Sequence, residues 1–136
     1  MDGERPRVLV VDDESDHMLH LFELLSSEGY FVEGSSSAFD ALGHLRRRPY
    51  DVVLSDAHMP DMDGLELLDR IKGLRPKTSV ILVGGAGDEE MRGAFLERGA
   101  QGLLVKPLRR EELLVVLRHA LGAQDGIEVG LRQASP

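Results

Sequence analysis

The chain has 136 residues, a formal net charge of −8 at pH 7 and no cysteine. This length predicts one domain whose core needs no disulfide bonds, and the lack of cysteine excludes a thiolate metal site. The acidic charge argues against direct nucleic-acid binding, which needs a basic surface, and no apolar run approaches the roughly 20 residues that span a membrane.

From the N-terminus, residues 1–7 are polar and lack a signal-peptide core, so we expect a cytoplasmic protein. Short runs of Val, Ile and Leu then alternate with longer amphipathic stretches. Strands are predicted at 7–12, 30–34, 51–55, 79–83 and 102–105. Helices are predicted at 15–28, 37–47, 64–72, 88–97 and 109–121. Five such βα units in a row predict an α/β fold with a parallel sheet covered on both faces.

The end of the chain differs in composition from the rest. Residues 122–136 are polar, glycine-rich and without periodicity, which predicts a flexible tail or linker after a domain of residues 1–121. The four phenylalanines within the predicted domain fall at positions compatible with its core, at Phe22, Phe31, Phe39 and Phe95.

Charged side chains stand where three of the predicted strands end. Asp12 and Asp13 follow the first strand, Asp56 the third and Lys106 the fifth. In an open α/β sheet, ligands bind beyond these carboxyl ends. Three neighbouring carboxylates repel one another unless a cation binds, and Mg²⁺ takes carboxylate and phosphate oxygens. The pattern therefore predicts a phosphoryl-accepting site in which Asp56 attacks and Lys106 contacts a phosphoryl oxygen.

Three segments of the chain resemble the receiver domain of bacterial two-component response regulators. They are Val-Val-Asp-Asp-Glu at 10–14, Asp-Ala-His-Met-Pro-Asp-Met-Asp-Gly at 56–64, and 99–107, which ends in Val-Lys-Pro. They are spread over residues 7–121, nearly the whole chain. The resemblance implies a flavodoxin-like (βα)5 fold, with a five-stranded parallel sheet in the order 2-1-3-4-5 and helices on both faces.

The resemblance also implies roles for individual residues. Asp56 would be the phosphoacceptor. The implied Mg²⁺ ligands are Asp12, Asp13, Asp56 and the backbone carbonyl of His58. The implied phosphate-binding residues are Lys106, Ala57 and Gly85, the last through its backbone N–H. A cis peptide bond would join Lys106 to Pro107.

The implied partners follow from the same resemblance. A sensor histidine kinase or a phosphotransfer protein would donate the phosphoryl group, and the chain would catalyse only its own phosphorylation and dephosphorylation. The surface formed by residues 88–121 would contact an output domain or partner protein, or form a homodimer. Neither nucleic acid nor membrane is an expected direct partner.

Two positions depart from the receiver pattern. Gly84 stands where receivers usually carry Thr or Ser, and Leu103 stands where they usually carry Tyr or Phe. The usual hydroxyl and aromatic switch side chains are therefore both missing. The loop 84–87 has three glycines, but it lacks both G-x-G-x-x-G and a Walker lysine, so we favour a flexible loop over a nucleotide site.

Three functions remain open. In the first, which we favour, the chain accepts phosphate on Asp56 and signals by another route, such as ordering of the loop. In the second, it is a pseudo-receiver that binds partners without phosphorylation; the missing switch residues favour this, and the retained acids oppose it. In the third, it is a Mg²⁺-dependent phosphatase or hydrolase, for which His58 is the one candidate general acid or base.

The remaining histidines carry no predicted role. All four lie on predicted helices, where we expect surface or half-buried side chains and neither metal ligands nor phosphodonors. They are His17, His20, His44 and His119.

Overall fold

The computed structural model describes residues 5–125, in which five parallel strands form the central sheet. The strands are β1 (Arg7–Val11), β2 (Phe31–Ser35), β3 (Val52–Asp56), β4 (Ser79–Gly84) and β5 (Gly102–Val105). Their order in the sheet is β2-β1-β3-β4-β5, which confirms the predicted topology. The carboxyl ends of β1, β3 and β4 lie side by side, because Val11 pairs with Ser55 and Asp56 pairs with Val83.

Five α-helices connect and follow the strands. They are α1 (Ser15–Ser27), α2 (Ala38–Arg47), α3 (Gly64–Leu74), α4 (Arg92–Glu97) and α5 (Arg110–Asp125). Among the described helices, none combines the length and the apolar character that crossing a bilayer requires.

Two predicted helix boundaries are wrong. The stretch 88–97 is not one α-helix, because a 3-10 helix (Ala86–Met91) precedes α4, in a region that contains several glycines. Helix α5 does not stop at Gly122 but continues to Asp125, so the first part of the predicted tail is helical. The rest of that predicted tail, 126–136, lies outside the described residues.

The two faces of the sheet carry separate apolar cores. Successive strand residues point to opposite faces, so Leu9 packs under α2 and α3 while Val10 packs under α1 and α5. Strands β1, β3 and β4 are apolar along nearly their whole length because helices cover both faces. Each fully buried leucine contributes about 2 kcal/mol relative to an exposed one.

Of the four phenylalanines, only Phe95 belongs to an apolar core. Phe95 is buried and Phe31 is half-buried, but Phe22 is 43% exposed and Phe39 is 58% exposed. Leu21 lies on the face of α1 that packs against the sheet, and Phe22 is rotated about 100° away from that face. The predicted core positions of Phe22 and Phe39 are therefore wrong, because the rotation of each helix about its axis decides which side chains face the sheet. Phe31 also lies outside both cores, at the start of the edge strand β2.

The segment 56–64 positions two helices besides ending β3. The carboxylate of Asp61 accepts the backbone N–H groups of Ala38 (3.1 Å) and Phe39 (3.0 Å), and so caps the start of α2. Asp63 caps α3 by accepting the N–H of Glu66 at 2.9 Å. A Cβ at residue 64 would lie 2.7 Å from a backbone oxygen, so glycine is required there. Much of this motif is therefore explained by the path of the loop.

Candidate functional site

Three carboxylates meet at the carboxyl edge of the sheet. Asp12 follows β1, Asp13 is next to it, and Asp56 ends the neighbouring strand β3. One oxygen from each lies within 4.8 Å of one oxygen from each of the others. Asp12 is buried, Asp56 is half-buried and Asp13 is exposed. A buried carboxylate with two like charges beside it is stabilised by a cation, and an all-oxygen donor set suits Mg²⁺, so these residues fit the implied metal.

Lys106 reaches the same cluster from the other side of β4. Its Nζ lies 3.4 Å from Oδ2 of Asp56, although β5 is two strands away from β3. The backbone N–H of Lys106 donates to the Gly84 carbonyl at 2.8 Å, which holds the start of the following loop at the end of β4. The peptide bond between Lys106 and Pro107 is cis, as the resemblance implied.

The residues after Asp56 use their backbone N–H groups differently. The N–H of His58 donates to Oδ1 of Asp56 at 2.9 Å, which orients the carboxylate. The N–H of Ala57 donates to the carbonyl of Val83 at 2.8 Å, and thus extends the ladder between β3 and β4. The predicted phosphate contact of Ala57 and the predicted metal contact of the His58 carbonyl stay predictions.

His17 is a site residue that sequence reasoning missed. It is half-buried, as expected for a helix residue, but its Nδ1 is hydrogen-bonded to Oδ2 of Asp12. The other oxygen of Asp12 accepts the N–H of Glu14 at 2.9 Å. The available signal was spacing, because a residue in the first turn of the helix after a strand lies close to the end of that strand.

Asp88 is the second residue that sequence reasoning missed. Its Oδ2 accepts the backbone N–H of Gly85 at 2.7 Å, and its Oδ1 lies 2.6 Å from Nε2 of His58. We call this pair of interactions the Asp88 contact. The side chain of Asp88 is 15% exposed, whereas that of His58 is 70% exposed.

The Asp88 contact changes the acidity of the carboxyl group. Burial acts to raise the pKa of Asp88, but the hydrogen bonds from Gly85 and His58, with the charge of His58, outweigh burial and hold the pKa below its ordinary value of 3.8. Asp88 is therefore an anion at neutral pH. It lies against the loop whose Gly85 N–H was predicted to bind a phosphoryl group.

The two departures from the receiver pattern occupy different surroundings. Gly84 is the buried last residue of β4, and a Cβ there would lie 2.5 Å from Oδ2 of Asp88. Leu103 is a core side chain that is 2% exposed and pairs in register with Leu82 of β4. The place beside Gly84 is thus filled by a carboxylate, and position 103 is filled by aliphatic packing.

A groove of about 620 Å³ opens beside the site, between α1 and the start of α5. Its lining includes His17 and Lys106, which contact Asp12 and Asp56, and the apolar side chains of Leu24 and Leu113. The groove therefore borders two contacts of the carboxylate cluster and offers an apolar surface next to them.

Comparison with known proteins agrees with this geometry. The family model for the response regulator receiver domain matches residues 8–118 of this chain. The transcriptional regulatory protein ZraR of Klebsiella oxytoca is 36% identical over 121 residues, which are 89% of this chain and 27% of that protein. The two-component response regulator ARR11 of Arabidopsis thaliana is 38% identical over 117 residues, 85% of this chain and 22% of that protein.

A solved structure agrees as well. The crystal structure of a CheY-like response regulator receiver domain protein from Methanospirillum hungatei JF-1 superposes with a TM-score of 0.84 at 31% identity, over 90% of this chain and 98% of that one. The chain spans about a quarter of the length of the two curated relatives. The matched residues, the shared fold and the cluster at the sheet edge lead to one conclusion: this chain belongs to the response regulator receiver domain family.

Proposed function

We propose that this chain is a phosphoacceptor receiver that takes a phosphoryl group onto Asp56 from a histidine kinase or a phosphotransfer protein. The observation that carries the proposal is the convergence of Asp12, Asp13, Asp56 and Lys106 at one edge of the sheet. These residues come from three strand ends, and an ordinary structural role for each acid does not account for their meeting around Asp56.

The chemistry is a phosphoryl transfer from the phosphohistidine of a donor protein to the carboxylate of Asp56. A carboxylate oxygen of Asp56 forms a bond to phosphorus as the phosphorus–nitrogen bond of a phosphohistidine breaks, and the departing imidazole takes up a proton from water. The N–H of His58 orients the carboxylate before attack. The ammonium of Lys106 offsets negative charge on the transferring group from the side opposite Asp12.

The acidic residues have a second task. A bound Mg²⁺ would be held by Asp12, Asp13, Asp56 and the His58 carbonyl. It would supply positive charge that offsets the negative charge of the incoming phosphoryl group. Asp12 is kept in place for this by the N–H of Glu14 and the ring of His17.

Turnover of other substrates is not part of the proposal. A phosphatase or hydrolase needs a group that moves protons at the reacting atoms. The ring of His58, the earlier candidate, is directed at Asp88. We therefore propose that the chain catalyses only its own phosphorylation and dephosphorylation.

The partners follow from the two exposed features near the site. The groove between α1 and α5, which Lys106 lines, would receive the donor. The surface formed by residues 88–121 carries exposed apolar side chains, among them Leu96 and Val115, and would meet an output domain, a partner protein or a second copy of the chain.

A second candidate function is a phosphorylation-independent interaction module. It is favoured by the core position of Leu103 and by the carboxylate beside Gly84, since neither usual switch side chain is present. The two functions make opposite predictions about phosphoryl transfer, so a single experiment separates them.

The test is intact mass spectrometry after incubation with acetyl phosphate and Mg²⁺. The wild type is compared with Asp56→Asn and with a wild-type sample that contains a chelator, and circular dichroism verifies that both proteins are folded. A phosphoryl adduct confined to wild type with Mg²⁺ is the expected result. An adduct on Asp56→Asn contradicts the acceptor assignment, and no adduct on folded wild type, with acetyl phosphate or a histidine kinase, supports the interaction module.

A further inference from the structure

Building on the proposed function, we propose that Asp88 is an autoinhibitory residue: its carboxylate occupies the Gly85 N–H until a phosphoryl group on Asp56 displaces it. The receiver would then switch by releasing the carboxylate of Asp88 from the loop. The usual switch, in which the hydroxyl of a Thr or Ser at position 84 binds the phosphoryl group, is not available to this chain. The proposal rests on the geometry of the Asp88 contact and on the residue that stands at position 84.

The first support is competition for one donor. The N–H of Gly85 is the backbone group expected to bind a phosphoryl oxygen, and it donates to Oδ2 of Asp88 at 2.7 Å. A backbone N–H in this geometry serves one strong acceptor at a time. A phosphoryl group can therefore use it only after the carboxylate has left.

The second support is a shared neighbour that brings two anions together. The backbone N–H of His58 donates to Asp56, and the ring of the same residue contacts Asp88. A phosphoryl group on Asp56 adds negative charge to one contact of His58, while the other contact, Asp88, carries a carboxylate whose side chain is 15% exposed. The added negative charge repels the carboxylate of Asp88 across His58, which favours departure of Asp88.

The third support is the match between residues 84 and 88. A Cβ at Gly84 would lie 2.5 Å from Oδ2 of Asp88 and 2.9 Å from its Cβ and Cγ. Thr or Ser at position 84 is thus incompatible with the Asp88 contact. The carboxylate of Asp88 occupies the space that a side chain at position 84 would need. The glycine at 84 and the acid at 88 therefore depend on each other.

The consequence of release is local. Asp88 belongs to the 3-10 helix Ala86–Met91, in which no residue is buried. Few apolar contacts hold this segment. Once the Asp88 contact is lost, we therefore expect local unfolding of the segment to need little free energy. The segment leads directly into α4 and the surface formed by residues 88–121, which gives the displacement a route to a partner.

The test measures the initial rate of phosphorylation by acetyl phosphate with Mg²⁺, read by intact mass. The variants are Asp88→Ala, which removes the competing acceptor, and Asp88→Asn, which keeps the shape but not the charge. Glu90→Gln is the matched control, because it removes one negative charge from an exposed residue of the same 3-10 helix. The second readout is the amide proton resonance of Gly85 in ¹⁵N-labelled protein, before and after addition of beryllofluoride as a phosphoryl mimic.

We expect Asp88→Ala to be phosphorylated about tenfold faster than wild type, and Glu90→Gln to stay within about twofold. Asp88→Asn should lie between them. In wild type, beryllofluoride should move the Gly85 resonance by exchanging one acceptor for another, and without the mimic Asp88→Ala should already differ from wild type at Gly85.

Other outcomes overturn it. If wild type and both Asp88 variants are phosphorylated at equal rates, or if Glu90→Gln is as fast as Asp88→Ala, the autoinhibitory role is wrong and the proposed function stands. If no variant is phosphorylated although all are folded, the proposed function fails, and the autoinhibitory role fails with it. If Asp88→Ala does not fold, Asp88→Asn decides by the same criteria.

Discussion

Gly84→Thr is the substitution for which the structure makes the sharpest prediction. The new Cβ would lie 2.5 Å from Oδ2 of Asp88 and 2.9 Å from its Cβ, which is closer than such atoms approach in proteins. Because Cβ and Cγ of Asp88 are among the clashing atoms, rotation of the carboxylate alone does not relieve the overlap. The side chain must leave the loop, or the 3-10 helix must shift.

The magnitude follows from the interactions that are lost. The hydrogen bond from Gly85 to the Asp88 carboxylate is charge-assisted and poorly exposed, and such bonds contribute about 1.5–3 kcal/mol. The pair with His58 adds little, about 0–1 kcal/mol, since the His58 side chain is 70% exposed. We therefore expect Gly84→Thr to lower the free energy of unfolding by about 2 kcal/mol.

A double-mutant cycle in urea provides the assay. Asp88→Ala removes the same interactions, so Gly84→Thr introduced into that variant should cost less than about 0.5 kcal/mol, which gives a coupling of about 2 kcal/mol. Gly87→Thr is the matched control, since a Cβ there meets nothing within 4 Å. Additive effects of Gly84→Thr and Asp88→Ala would refute the reasoning, because they would mean that the two side chains do not compete for one place.

Three further predictions follow from the contacts of Lys106, Asp61 and Tyr50. Lys106→Met should slow phosphorylation by acetyl phosphate about tenfold to a hundredfold, while Arg109→Gln, which removes a nearby exposed cation, should not; equal slowing would contradict a specific role for Lys106. Asp61→Ala should cost about 1 kcal/mol in urea unfolding at pH 7 through loss of the α2 cap, with Asp61→Asn costing less. Hydrogen bonds from Phe39 and Ala38 outweigh burial and lower the pKa of Asp61, so its stabilisation is present above its ordinary value of 3.8 and should vanish as the pH falls through the lowered pKa. A difference between wild type and Asp61→Ala that persists in strong acid would contradict this. Burial and the hydrogen bond to Glu33 raise the pKa of Tyr50 from 10.0 to about 12. Unfolding therefore releases a proton above pH 10, so the free energy of unfolding should fall between pH 10 and 12, and it should fall less in Tyr50→Phe. Tyrosinate absorbance follows the ionisation, and urea titration follows the stability.

Local pattern was sufficient to predict the α/β class, the parallel sheet and the centre of the site, whereas the order of the strands came from resemblance to the receiver family. Short runs of Val, Ile and Leu separated by amphipathic stretches identify buried parallel strands and covering helices, because both periodicities are properties of neighbouring residues. Asp12, Asp13, Asp56 and Lys106 could be placed together because parallel strands that alternate with helices end at the same edge of the sheet. The cis peptide bond before Pro107 came from resemblance to the receiver family rather than from any local pattern.

Tertiary structure alone decided how side chains from different elements meet. The exposure of Phe22 and Phe39 depends on the rotation of α1 and α2 about their axes, which is set by packing against the sheet. The contact of His17 with Asp12 depends on the angle at which α1 leaves β1.

The same holds for the loop after β4, where sequence alone showed missing switch residues and permissive glycines. Whether the space beside Gly84 is open or filled depends on the 3-10 path of residues 86–91, which brings the carboxylate of Asp88 back to the N–H of Gly85. Sequence determined that this protein has the fold and the acidic residues of a receiver domain. Only the folded chain revealed that the carboxylate of Asp88 lies beside Gly84, where receivers usually carry a hydroxyl. That contact depends on the backbone path of the loop and on the side-chain conformation of Asp88 together, and neither can be read from the sequence.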